Sequence, residues 1–267
     1  MSALLRLYWA QCKLAVAVEL QYRAASLIYQ IAAVLGPLIY LAVWTTVARA
    51  SGGRVGGFNS GDFAAYFIVL MLVMRATSSY VMSDYEYRVR NGALSALLLR
   101  PVHPFHKDLA ENATHNMMML VVLIPAAVGL AITFQPTFRL VPWAAAAFTP
   151  ALLLGFALRF TLEWTLALAA FWVTRVSAIN QMYWLTLLFL SGEMAPLALL
   201  PEPVQYIAAV SPFRWMIGFP VELLLGRMTP GAALLGLAAQ AVWLALSLAL
   251  LRLVWRAGVR RYSAVGA

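Results

Sequence analysis

The chain has 267 residues, of which 63% are hydrophobic and only 11% are charged, and its formal net charge is +9. An average soluble domain has about 25% charged residues, and several apolar runs here reach the ~20 residues that cross a bilayer. The composition therefore excludes a soluble globular protein and predicts an all-α membrane protein. The single cysteine, Cys12, excludes an intramolecular disulfide.

The N-terminal segment, residues 1–25, alternates apolar and polar residues at helical spacing. The residues that share its apolar face are Leu4, Leu7, Tyr8, Leu14 and Val18, whereas Arg6 and Lys13 lie elsewhere. This amphipathic pattern predicts a helix that lies in the membrane interface.

The first two predicted spans are residues 26–47 and 63–82, each an apolar run of membrane-spanning length. Between them lies the glycine-rich stretch SGGRVGGFNSGD, residues 51–62. Its glycines resemble a helix-dimerisation pattern, but Arg54 stands among them. We therefore interpret them as turn glycines.

The longest charged interval follows, from Asp84 to Asp108, and predicts an aqueous loop that carries a short helix. Leu94, Leu97 and Leu98 recur at a spacing that places them on one helical face. Asn91-Gly92 breaks the chain before this helix, and Pro101 and Pro104 stop it afterwards. A bounded amphipathic helix between basic ends predicts a docking element. The alternative is a helix whose leucines pack on the protein's own spans.

The remaining predicted spans are residues 114–134, 146–173, 179–194 and 232–254. Residues 195–229 are apolar, but prolines divide them into pieces too short to cross a bilayer. Such a sequence predicts re-entrant or interfacial helices.

Six spans place both termini on the same side of the membrane, and most of the 19 Lys and Arg residues fall on that side. They are Arg6, Lys13, Arg23, Arg75, Arg88, Arg90, Arg100, Lys107, Arg175, Arg252, Arg256, Arg260 and Arg261; the other side holds Arg49, Arg54, Arg139, Arg214 and Arg227. This asymmetry predicts that the termini and the 84–108 loop are cytoplasmic. It also accounts for the net charge without a nucleic-acid partner.

Arg159 and Glu163 are four residues apart on the fourth span, so they share a helical face about 6 Å apart along the axis. Charges at that depth normally face a partner or water. Two interpretations stay open: a polar contact in a transport pathway or subunit interface, and a local ion pair that holds the bundle together. His103 and His106 have a ligand-like spacing, but without a second cluster we predict no metal site.

Two stretches carry a resemblance to a known family. The first is RNGALSALLLRP, residues 90–101, which is similar to the coupling segment G-x-L-x-x-x-L-x-x-P of ABC-2 type permeases. The second is SGEMAP, residues 191–196, followed by Leu200-Pro201 and Ser211-Pro212, which is similar to the family's hairpin after the fifth span. With the order of spans, the chain resembles ABC-2 permeases over nearly its whole length. It looks closest to the subgroup of daunorubicin-type drug exporters, in which two different permeases share one type of ATPase.

The resemblance implies the type V (ABC-2) exporter fold in the cell membrane of a prokaryote, with a single permease domain over residues 1–267. The implied ATPase-coupling residues are Arg90, Gly92, Leu94, Leu97, Leu98, Arg100 and Pro101, and the implied hairpin residues are Gly192, Glu193, Pro196, Pro201 and Pro212. The leucines would fill an apolar groove on the ATPase.

The resemblance also implies partners: two ATPase subunits, a second and non-identical permease, and membrane lipids. The chain lacks G-x-x-x-x-G-K-[ST], so ATP and Mg would be bound by the ATPase, and no catalytic residue or cofactor is expected in this chain. The expected cargo is amphipathic, lipidic or glycan-type. Two other functions stay open: an ion-coupled carrier with Glu163 as its titrating group, and a membrane-embedded lipid-modifying enzyme.

Overall fold

The computed structural model describes residues 3–21, 23–139, 141–173 and 175–262, and it confirms the prediction of an all-α protein. The predicted N-terminal segment and domain also include residues 1, 2, 22, 140, 174 and 263–267, which lie outside the described ranges. The helices are α1 (Ala3–Gln21), α2 (Arg23–Ala50), α3 (Ser60–Thr77), α4 (Val81–Arg90), α5 (Ala93–Leu98), α6 (Pro104–Phe134), α7 (Pro142–Ala167), α8 (Ser177–Leu190), α9 (Glu202–Val210), α10 (Phe213–Met216), α11 (Gly218–Leu224) and α12 (Pro230–Arg261). Short 3₁₀ helices occupy Leu168–Phe171 and Leu197–Leu199.

Five helical stretches in the described ranges are long and apolar enough to cross a membrane: Gln30–Ala50, Ser60–Arg90, Pro104–Phe134, Pro142–Phe171 and Pro230–Arg261. They contain most of the first four predicted spans and of the sixth. The predicted fifth span, 179–194, is represented by α8, whose 14 residues rise only about 21 Å, against a hydrocarbon core of ~30 Å. Six full-length spans are therefore not confirmed. Gly192, at φ +88°, lies two residues beyond the end of α8, in a left-handed conformation that a helix cannot contain.

Two helices have other boundaries than the predicted spans to which they correspond, and the span boundaries stay predictions. The second span was placed at 63–82, but α3 ends at Thr77 and the chain breaks before α4. Asn116 stabilises this break, because its side-chain amide donates to the carbonyls of Ala76 (3.2 Å) and Ser78 (2.7 Å). The third span was placed at 114–134, but α6 already begins at Pro104, where proline suits the first helical turn.

Helix α3 occupies the centre of the bundle. It is apolar on every face, and most of its side chains are buried, which is the pattern of a helix surrounded by others. Helices α2, α6, α7 and α11 pack around it, α12 packs along α7, and α1 packs on α6. The prediction that α1 lies in the membrane interface stays a prediction.

The outward faces of the long helices carry exposed apolar side chains, as expected where lipid is the solvent. Examples are Ile28 and Ile31 on α2, Val121 and Ile132 on α6, and Leu234, Leu235 and Leu253 on α12. The chain is thus built to lie in a membrane.

The two ends of the bundle differ in structure. At one end the side-chain hydroxyls of Ser95 and Tyr262 are 3.0 Å apart, so α5 lies beside the C-terminal end of α12. We call this the basic end, because the arginines of α4, Arg100 after α5 and the arginines at the end of α12 lie in these segments. At the other end, strands β1 (Arg54–Val55) and β2 (Phe58–Asn59) pair antiparallel around Gly56 and Gly57. We call this the hairpin end, after this β-hairpin. Both glycines have positive φ, which confirms their assignment to a turn.

Candidate functional site

The predicted coupling segment folds as two helices joined by a tight turn at the basic end. Helix α4 ends at Arg90, and the Asn91 backbone N–H donates to the Tyr87 carbonyl at 3.0 Å. Gly92 then adopts φ +69°, a left-handed conformation that favours glycine, and redirects the chain into α5. Beyond Pro101, the imidazole Nδ1 of His103 accepts from the Phe105 N–H at 3.2 Å and caps α6.

The leucine face of α5 is turned toward the protein itself. Leu94 is 0% exposed, and Leu97 and Leu98 are half-buried against the same core. In the chain by itself Leu94 is therefore covered by the protein's own core, since helical spacing identifies an apolar face but not what covers it; its contact with a partner stays a prediction. The exposed surface of the segment consists of Arg90, Asn91, Ala93, Ala96, Leu99 and Arg100, with Leu99 88% exposed. The ATPase-coupling role of the segment stays a prediction, now for this exposed surface.

An aromatic junction lies directly beneath the segment and is centred on the buried Trp164 of α7. The Trp164 ring centroid lies 5.2 Å from that of Tyr85, 5.5 Å from Phe105, 5.6 Å from His103 and 5.3 Å from Trp255. Aromatic pairs in this range stabilise by about 0.5–1.5 kcal/mol beyond their burial. The junction thus joins α4, the start of α6, α7 and α12 in one packed unit.

Asp108 adds polar bonds to this junction. Its Oδ1 accepts from Arg88 Nη1 of α4 at 2.7 Å, and its Oδ2 accepts from the Trp164 indole Nε1 at 3.0 Å. Asp108 is buried and Arg88 is mostly buried, so the ion pair is shielded from water. One carboxylate on α6 therefore ties α4 to α7. A second carboxylate, Glu86 on α4, accepts from the Val176 N–H at 3.0 Å at the start of α8.

His103 and His106, the two histidines of the loop, contact different neighbours. Burial and the adjacent His106 lower the pKa of His103, and Asp108 opposes this shift. The Tyr8 hydroxyl of α1 and the His106 Nδ1 are 3.0 Å apart. Within the described ranges, no group of three or more His, Cys, Asp and Glu side chains is arranged to hold a metal ion. The prediction of no metal site stays a prediction.

Arg159 and Glu163 form a bond inside the bundle, with both side chains 1% exposed. Arg159 Nε donates to Glu163 Oε1 at 2.8 Å, and the Tyr183 hydroxyl of α8 donates to the same oxygen at 2.9 Å. Arg159 Nη1 also donates to the Thr77 hydroxyl at 3.3 Å, at the end of α3. This geometry favours the local ion pair of the two interpretations, because it connects α3, α7 and α8. Arg159 also borders a cavity.

The predicted hairpin residues lie in a chain of short helices between α8 and α12. Pro196, Pro201 and Pro212 each directly precede one of these helices. The Gly192 carbonyl accepts from the Tyr66 hydroxyl of α3 at 2.7 Å, and Glu193 Oε2 is buried without a hydrogen-bond partner. The irregular backbone thus lies against the central helix, where buried loops are tolerated at membrane depth. A re-entrant placement stays a prediction.

Several polar residues of the structure were not identified from the sequence. Asp108 pairs with Trp164, 56 residues away, and Arg75 Nη2 donates to Asn116 Oδ1 at 2.7 Å across 41 residues. Periodicity along one helix carries no signal for such contacts. The usable signal was the rarity of Arg and Asn inside apolar runs, since polar groups in the bilayer need partners.

A family model described as ABC-2 family transporter protein matches residues 34–266. This range includes α3 to α12 and most of α2, and it leaves out α1. No curated protein and no solved structure matches the chain.

Proposed function

The chain belongs to the ABC-2 transporter family, and we propose that it is the permease subunit of an ATP-driven exporter whose energy comes from a separate ATPase chain. The family match carries this proposal, because it covers all five helices of membrane-spanning length in whole or in large part. Family membership and apolar helices together make the chain a multi-pass membrane protein and a transport subunit. The finer assignments below are proposals.

The ATPase binds the exposed surface of α5 at the basic end. Leu99 offers an apolar side chain, and Arg90 and Arg100 flank it with positive charge. An apolar anchor with charged residues at its rim is the usual composition of a protein interface. In a pair of permeases, each would bind one ATPase, which gives two ATPase copies.

Movement of the ATPase reaches the spans through the aromatic junction. Arg88 on α4 is bonded to Asp108, which is bonded to Trp164, so α4 cannot tilt without pulling on α6 and α7. The break between α3 and α4 leaves α4 free of the helical backbone of the central span. A contiguous network of packed and hydrogen-bonded side chains that crosses from α4 to α6 and α7 is a physical route for coupling.

The proposed complex contains a second, non-identical permease and carries an amphipathic, lipidic or glycan-type cargo outward. The exposed apolar faces of α2, α6 and α12 provide both lipid contact and room for that subunit. Both termini face the cytoplasm, in agreement with the excess of Lys and Arg at the basic end. The membrane is the cell membrane of a prokaryote.

The rival functions lack a supporting observation. As a carrier's proton site, Glu163 would need access to water, but its bonded carboxylate oxygen is shared by Arg159 and Tyr183 and its side chain is 1% exposed. A lipid-modifying enzyme would need clustered His, Asp or Glu side chains near the bilayer. In the polar cluster at the basic end, Asp108 and Glu86 instead tie helices together.

The test is gentle purification of the tagged chain from its native membrane, with mass spectrometry of the proteins that co-elute. We expect a stoichiometric P-loop ATPase and a second multi-span permease in the same peak. A chain that elutes without an ATPase under several detergents would contradict the exporter assignment. Transport driven by an ion gradient in the absence of ATP would favour the carrier.

A further inference from the structure

A cavity of about 130 Å³ lies between α2, α3, α7 and α8, apart from the aromatic junction. Its lining consists of Ala33, Pro37, Met71, Met74, Arg75, Ser78, Tyr80, Arg159 and Trp184. Two of these residues are arginines, and each faces an aromatic ring: Arg75 lies 5.6 Å from the Tyr80 centroid and Arg159 lies 5.3 Å from the Trp184 centroid. The arginines are buried and the aromatic residues are more exposed, so the cavity extends inward from the surface of the chain.

The two arginines differ in how their charge is balanced. Arg159 is ion-paired with Glu163 on its own helix. Arg75 is 7% exposed, and its guanidinium donates only to the neutral groups Tyr80 Oη (3.1 Å) and Asn116 Oδ1 (2.7 Å). Its Nε is buried without a hydrogen-bond partner, and none of the ion pairs between described residues includes Arg75. Arg75 therefore has unused hydrogen-bonding capacity and no counter-ion among the described residues.

The buried and unpaired charge of Arg75 lowers the folding free energy of the chain when the cavity holds no anion. Arg75 lies 15 residues into α3, about 22 Å from its start at the hairpin end, and its side chain is buried near the end of the helix. A buried charge destabilises a protein unless it is paired or solvated. An anion in the cavity would provide the missing charge and accept from the guanidinium, which suits phosphate and carboxylate geometry.

The surroundings also limit what kind of molecule carries that anion. The volume admits one head group but no acyl chain, and the walls between the polar groups are apolar, with Met71 and Met74 on one side and Ala33 and Pro37 on the other. A molecule with its charged group in the cavity and its apolar part in the surrounding lipid fits both features. We propose that this cavity binds the anionic head group, a phosphate or a carboxylate, of a membrane amphiphile, with Arg75 as its counter-ion.

The site does not depend on the transport function, but its use for cargo rests on the proposed function. The binding test therefore uses the purified full chain in neutral detergent, without an ATPase. The probes are dioleoylphosphatidylglycerol, dioleoylglycerol with the same acyl chains but no phosphate, and inorganic phosphate. Binding is measured by native mass spectrometry and by the shift in Tm.

We expect dioleoylphosphatidylglycerol to bind and raise the Tm, and each of the other two probes to bind at least about tenfold more weakly. Dioleoylglycerol lacks the charge-assisted hydrogen bonds to Arg75, and inorganic phosphate lacks the acyl chains that contact the apolar surface of the chain. Arg75→Gln should lose this preference about tenfold, whereas Arg75→Lys should keep most of it. Arg139→Gln is the matched control, because it removes the same charge from an exposed position at the hairpin end.

Met74→Glu is a second variant, which tests the site even if Arg75→Gln does not fold. This variant places a carboxylate at the cavity wall beside Arg75, so it should lose lipid binding while its Tm without lipid rises or stays the same. Equal binding of the phospholipid and dioleoylglycerol, or an unchanged preference in both Arg75→Gln and Met74→Glu, would overturn the site. Stabilisation by inorganic phosphate as strong as by the phospholipid would overturn the assignment to an amphiphile.

Reconstitution with the co-purified ATPase separates the two sources of the head group. Cargo predicts ATP-dependent movement of a fluorescent phosphatidylglycerol between leaflets, lost in Arg75→Gln but kept in Arg139→Gln. A resident lipid predicts binding without such movement. Loss of ATPase co-purification would contradict the proposed function and leave the binding result in detergent intact, so the two failures are distinguishable.

Discussion

Leu94 and Leu99 lie on the same short helical segment, yet the structure predicts opposite consequences for their substitution by alanine. Leu94 is 0% exposed and Leu99 is 88% exposed. Removing a fully buried leucine side chain costs about 2–5 kcal/mol of folding free energy. Leu94→Ala should therefore lower the Tm, whereas Leu99→Ala should leave it nearly unchanged.

The effect of Leu99→Ala should appear in binding instead. Burying a leucine side chain stabilises by about 1.5–3 kcal/mol. Because Leu99 is 88% exposed in the free chain, nearly all of that contribution is available to a partner. Leu99→Ala should weaken ATPase binding by about 1–2.5 kcal/mol, or roughly 5–70-fold.

The assay is the amount of ATPase recovered with each tagged variant over a dilution series in mild detergent, together with the Tm of each variant. Leu234→Ala is the matched control, since Leu234 is an exposed leucine of α12 at the hairpin end. Normal ATPase recovery by Leu99→Ala would refute the docking surface. A Leu94→Ala variant with unchanged Tm would refute the packing argument.

Three further predictions concern the interior. Asp108→Asn removes the charge that pairs with the mostly buried Arg88, so the Tm should fall by an amount equivalent to about 2–3 kcal/mol of folding free energy. Glu111 forms a more exposed pair with Lys107, so Glu111→Gln should lower the folding free energy by less than about 1 kcal/mol. Glu163→Gln leaves Arg159 buried without its counter-ion and should lower the folding free energy by about 3–5 kcal/mol. The charge swap Arg159→Glu/Glu163→Arg restores an ion pair, so it should recover part of the lost Tm and part of the transport activity. Gly192→Ala should destabilise the fold by about 1–3 kcal/mol, because φ is +88° and the new Cβ would lie 2.6 Å from the Tyr66 hydroxyl. Gly129→Ala should leave the stability unchanged or raise it, because Gly129 is a helical glycine with open space around it. An equal Tm for the two glycine variants, or for Asp108→Asn and Glu111→Gln, would contradict these readings.

The sequence was informative wherever one local property decides the structure. Run length and hydropathy located the long helices, and Asn91-Gly92 marked the turn before α5, because positive φ and helix breaking are local properties. The glycine-rich stretch before α3 was assigned to turns for the same reason. These features need no knowledge of distant residues.

Features that depend on packing were not predictable in this way. The leucines of α5 have helical periodicity whether a partner or the chain's own core covers them, so the burial of Leu94 had to come from the structure. The apolar run 179–194 has the composition of a span, but Gly192 helps to end the helix early. Asp108, Arg75 and Asn116 acquire their roles in part from residues as far as 56 positions away.

Site-specific photo-crosslinking in the native membrane tests most directly whether the exposed surface of α5 contacts an ATPase. A photoreactive phenylalanine analogue replaces Leu99 in one variant and Leu234 in another, and mass spectrometry identifies each adduct. We predict a P-loop ATPase adduct from position 99 and none from position 234. Position 99 crosslinking only to lipid or to this chain, in membranes that contain the ATPase, would contradict the proposed coupling surface.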